Sequence, residues 1–158
     1  MSKEAEKDQF EEKVLYINRC AKVLKGGRKF SFSALILVSD GKKLGVGFAK
    51  ANEVSDAIRK GSESAKKNLF EFEKHNTTIP HEVSVGWDGA KILLKPAPEG
   101  TGIIAGSIIR SVLEMSGIKD VVAKSLGSNN PLNLVKATVK ALLELRNREE
   151  CLAQRGLK

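Results

Sequence analysis

The chain has 158 residues, 41% of them hydrophobic and 29% charged. That apolar share can bury a core and argues against wholesale disorder; with only 5% aromatics, the core has to be aliphatic. Lys and Arg number 27 against 19 Asp and Glu, a net charge of +8 that favours polyanionic partners, either nucleic acid or an anionic membrane surface.

Cys20 and Cys151 are too few and too far apart for a disulfide framework, so both read as reduced thiols of a cytoplasmic protein. His75 and His81 lack metal-ligand spacing, and no metal or cofactor is expected. The polar start, Met1–Gln9, leads into no apolar signal core. No stretch approaches the roughly 18 apolar residues of a membrane span. Secretion and membrane insertion are therefore not expected.

In chain order, residues 1–9 read as a flexible tail. A strand starts at Lys13, with Val14 and Tyr16 on one face and Leu15 and Ile17 on the other. It runs into a basic, glycine-bearing segment containing Arg19, Lys22, Lys25, Gly26, Gly27, Arg28 and Lys29. Phe30–Val38 alternates at period two, placing Phe30, Phe32, Ala34, Ile36 and Val38 on one face. Ser39-Asp40-Gly41-Lys42 is a turn, and Leu44–Ala49 returns. In that strand Gly45 and Gly47 leave one face bare, for a ligand or for a packed neighbour. A helix is expected from Glu53 to Glu73, with Arg59, Lys60, Lys66 and Lys67 on its outer side. Residues 75–82 lack periodicity and form a linker.

The second half reads β-β-α-β-α. Val83–Trp87 and Lys91–Lys95 flank an Asp88-Gly89 turn. A helix is expected over Ile103–Ser116 with Gly117 beyond its end. A strand follows at Val121–Lys124, then a helix with Asn130 as N-cap and Pro131 at its first position. That helix carries Leu134, Thr138, Ala141, Leu142 and Leu145 on one stripe. The rest reads as a polar tail.

Two glycine motifs invite chemistry. Between Arg19 and Lys29, adjacent glycines among five cations make a loop able to follow a phosphate backbone, or a solvated basic loop. It lacks the Walker A pattern. Gly100, Gly102 and Gly106 loosely match a dinucleotide fingerprint. A Rossmann unit needs an acid ending the next strand, however, whereas Asp120 begins it, and only one strand remains. Tight turning is the expected role. Ser107, Ser111, Ser125 and Ser128 have no nucleophile context, so no enzyme is expected.

Four segments resemble one family. They are Val23–Phe32 (VLKGGRKFSF), Val46–Ala51 (VGFAKA) with Glu53-Val54 and the basic helix, Lys95–Gly106 (KPAPEGTGIIAG), and Ala123–Pro131 (AKSLGSNNP). Together they resemble bacterial small-subunit ribosomal protein number five, over about residues 11–146. Ser55 stands where that family often has proline.

The resemblance implies an α+β fold of two small domains. The first, 10–74, would be a double-stranded-RNA-binding-like β-β-β-α domain. The second, 83–146, would be a two-layer β-β-α-β-α domain, with a tail at 147–158. It implies a structural constituent of the ribosome that binds 16S-type ribosomal RNA near the neck of the small subunit. Arg19, Lys22, Lys25, Gly26, Gly27, Arg28, Lys29 and Lys50 would make the RNA contacts. Gly100, Thr101, Gly102, Gly106 and Arg110 would lie at contacts with ribosomal proteins four and eight. The messenger path would run nearby, with an influence on decoding accuracy. The alternative is a free double-stranded-RNA-binding regulator.

Overall fold

A computed structural model describes residues 10–41 and 43–156. The expected 1–9 tail, Lys42 of the turn and the last two residues lie outside them. β1 (Glu11–Leu24), β2 (Gly27–Ser39), β3 (Lys43–Ala51) and β4 (Leu69–Glu71) form one antiparallel sheet in that order. The period-two face of β2 is present: Ala34, Ile36 and Val38 are fully buried against Ala57 and Ala65 of α1 (Val54–Lys67). Its other face is buried too, because Leu35 and Leu37 join the core of the second half.

The bare face of β3 seats α1. A Cβ on Gly45 would run into the Ala65 carbonyl, and one on Gly47 into the Gly61 carbonyl. The glycines therefore serve close backbone packing, not a ligand.

The helix expected to reach Glu73 stops at Lys67. Asn68 leaves helical geometry at φ −114°, and its amide donates to the Ser64 carbonyl at 3.1 Å. Leu69–Glu71 then pairs with the free edge of β3, opposite Gly45, Leu44 and Lys43. Edge hydrogen bonds and the strand preference of Phe70 outweigh a helical spacing that continued only by coincidence.

The second sheet has the order β5 (Val83–Trp87), β6 (Ala90–Pro96), β8 (Val121–Gly127), β7 (Ile103–Ile104), and only β7–β8 is parallel. Asp88 at φ +48° and Gly89 at φ +80° form the expected tight turn. α2 spans Ser107–Met115, four residues later than expected at its start. Ile103 and Ile104 are instead strand, paired with Val121 and Val122.

Gly117 ends α2 at φ +70°, and its N–H and that of Ile118 return to Glu114 and Leu113. Asn130 caps α3 (Pro131–Leu143), its side chain accepting from the Leu132 N–H at 3.1 Å. The 147–158 segment, expected as a tail, carries α4 (Arg148–Gln154).

α2 and α3 lie between the two sheets. Leu37 and Leu44 of the first sheet, Val112 and Leu113 of α2, Leu142 of α3, and Ile92 and Leu94 of the second sheet share one buried cluster. Lys13 also reaches Glu114 of α2 at 2.8 Å. The 75–82 connection is itself tied in. Ile79 is buried, and the Thr77 carbonyl accepts from the N–H groups of Lys119 and Asp120 at 2.8 and 3.0 Å.

Candidate nucleic-acid interface

The basic segment is a β-hairpin arm, not a loop. β1 continues to Leu24, β2 starts at Gly27, and only Lys25 and Gly26 form the turn. The ladder pairs Arg19 with Phe32, Lys22 with Lys29, Val23 with Arg28 and Leu24 with Gly27. β3 ends its pairing at Phe32, so beyond that point the arm stands as two strands, about 17 Å long at ~3.4 Å per residue. Alternating residues such as Ala21, Val23 and Phe30 give pairable strand sequence on both sides of the turn. That symmetry was the missed signal. Gly27 takes φ +148°, which disfavours a side chain.

Register divides the cations between two faces. Lys22, Lys29 and Lys50 share one face with Cys20 and Ser33. Arg19 and Arg28 share the other, where the Arg19 guanidinium lies 3.7 Å from the centre of the exposed Phe30 ring. From Arg19 to Ser39 the sequence contains five cations and no carboxylate. Among the described residues, none of these arm cations forms an ion pair.

The basic side of α1 differs. Arg59 pairs with Asp56 at 3.3 Å, and Lys66 pairs with Glu12 at 2.8 Å. Lys66 and Ser62 together hold the Glu12 carboxyl below its ordinary range. Half of that helix's outer charge is thus already answered within the chain.

The Gly100–Gly106 motif holds an anion, and the anion is the chain's own. Buried Asp120 accepts from the N–H groups of Gly100 at 3.0 Å and Gly102 at 2.9 Å. The Gly102 N–H and then the Thr77 hydroxyl hold its carboxyl below the usual aspartate range, against the opposing effect of burial. Held this way, the Gly100 and Gly102 N–H groups are not left to offer a pyrophosphate. Thr101 is exposed, Gly106 precedes α2, and the Arg110 guanidinium donates to the Ile103 carbonyl at 3.1 Å.

Both halves match one family. Residues 10–73 match "Ribosomal protein S5, N-terminal domain" and residues 86–155 match "Ribosomal protein S5, C-terminal domain". The chain belongs to the ribosomal protein S5 family.

Members of the S5 family are structural and not catalytic. The chain is 64% identical to small ribosomal subunit protein uS5 of Protochlamydia amoebophila, covering 98% of this chain and 95% of that one. It is 66% identical to the uS5 protein of Chlamydia felis, over 98% and 96%. For Chlamydia trachomatis serovar D the identity is 63%, over 95% and 92%.

This S5-family chain has a second basic surface that its sequence pattern did not single out. Lys91, Lys95 and Lys124 alternate with buried residues and fall on the solvated face of the second sheet. The strand alternation itself was the available signal. Among the described residues, no three His, Cys, Asp or Glu side chains gather as a metal site. Nor is any helix among them long and apolar enough to cross a membrane.

Proposed function

We propose that this chain is a structural constituent of the small ribosomal subunit and that it holds ribosomal RNA through the β1–β2 arm. The observation that carries this is the set of unopposed cations on a two-stranded arm extending past the third strand. A cation without an internal carboxylate neutralises phosphate and releases counterions without first breaking a bond. A ribbon charged on both faces can sit between two RNA segments. Lys22, Lys29 and Lys50 would serve one, and Arg19 and Arg28 the other.

Gly26 has an ordinary backbone conformation, and nothing lies within 4 Å of where its Cβ would be. No described contact within the chain demands glycine there, which fits an RNA backbone approaching that point. The same reading takes 16S-type RNA near the subunit neck as the ligand. It puts ribosomal proteins four and eight beside Gly100–Gly106 and Arg110, and it includes an influence on decoding accuracy beside the messenger path. It divides the chain into units 10–74 and 83–146 joined by 75–82.

Co-sedimentation of the tagged protein with ribosomal subunits, at low and then high salt, tests the proposal. Salt-resistant association with the small subunit is expected. Sedimentation as a free protein under both conditions would overturn it in favour of a free RNA-binding regulator.

A further inference from the structure

An apolar groove of about 500 Å³ opens between β3 and β4 of the first sheet and α3, on the face of β3 that also carries Lys50. Three large apolar side chains on it are left open to solvent: Phe48 at 52%, Trp87 at 40% and Leu143 at 54% exposure. Contiguous apolar surface of this kind, lined by elements of both sheets, marks an interaction site more often than a solvated face. Lys136 and Lys140 stand one helical turn apart on its α3 wall. Their ammonium groups lie 5.7 and 6.0 Å from the centre of the Trp87 ring. No carboxylate lines the groove. Lys140 forms a long ion pair with Glu144, 3.9 Å away one helical turn on, and no ion pair is formed by Lys136 among the described residues.

We propose that this groove is a docking site for an acidic, apolar segment of another polypeptide. Its apolar side chains would cover Phe48, Trp87 and Leu143, and its carboxylates would meet Lys136 and Lys140. Charge complementarity selects the acid. Covering the groove partly desolvates both ammonium groups, and a neutral or basic occupant would leave Lys136 unanswered and Lys140 with only its long pair to Glu144. The wall selects polypeptide over RNA. Apart from the two lysines, its polar side-chain groups are the Asn68 amide and the Trp87 indole N–H, so most nucleobase edges buried there would lose hydrogen bonds to water without replacement. Apolar side chains lose none.

The test is photo-cross-linking in living cells from a benzophenone amino acid at Leu143, with denaturing capture and sequencing of the attached partner. Cross-links to a polypeptide segment bearing both apolar residues and carboxylates are expected. Their yield should fall by about tenfold when Lys136→Glu and Lys140→Glu are combined, as for loss of shielded charge pairs. Cross-links confined to RNA, cross-links to a segment without carboxylates, or no cross-link from the unreversed protein would each overturn the proposal. So would a yield that ignores the charge reversal. Sedimentation of the same cells separately reports whether the protein sits in the small subunit, so the two proposals fail independently.

Discussion

Asp120 shows how one residue fixes a loop. Its carboxylate gathers the Gly100 and Gly102 N–H groups and ties them to the start of β8. Asp120→Asn keeps an acceptor oxygen but loses the charge, so it should lower the melting temperature at pH 7. The folded pKa of Asp120 lies below its unfolded value. Its contribution is therefore complete above pH ~4 and is lost as pH falls through the depressed folded value. Thermal melts of parent and variant should converge as pH is lowered below the ordinary aspartate pKa; a gap that widens instead would contradict the assignment. The arm glycines separate in the same way. Gly26→Ala should leave the melting temperature unchanged and weaken RNA binding. Gly27→Val should also cost stability, by about 1–3 kcal/mol, because φ +148° suits a β-branched residue badly. Circular dichroism with filter binding distinguishes the two.

At the scale of elements, the arm carries the sharpest prediction. Lys25→Ala with Arg28→Ala should flatten the salt dependence of RNA affinity by roughly 0.7–0.9 log units per lost phosphate contact. An unchanged slope in filter binding across salt concentrations would remove the arm from the interface. The arm cations were legible because they are contiguous in sequence, and so were the Asp88-Gly89 turn, the Asn130 cap and the end of α2 at Gly117. Local chemistry decides each of these within a few residues. The boundary at Asn68 and the short strands β4 and β7 were not legible. Leu69–Glu71 becomes strand because β3 has an unpaired edge there, and Ile103–Ile104 because Asp120 holds the preceding loop beside β8. Both causes lie far away in sequence.

For the whole molecule, the buried cluster shared by both sheets makes the two halves interdependent. Leu37 lies in the first sheet, and Trp87, the chain's single tryptophan, lies in the second. Leu37→Ala should cost about 2–5 kcal/mol. It should shift Trp87 fluorescence and far-ultraviolet circular dichroism to the same new midpoint. Separate midpoints would mean that the halves fold as independent units.

The sequence alone determined a preference for polyanionic partners, the order of most elements and the cations proposed to meet RNA. Net charge, alternation and caps are local quantities that need no third dimension. Only the tertiary structure decided that the basic segment is a ribbon with two charged faces, that the glycine motif encloses Asp120, and that Phe48 and Trp87 share one open groove. Each of these depends on which distant strands and helices pack together, and packing is set by the whole core.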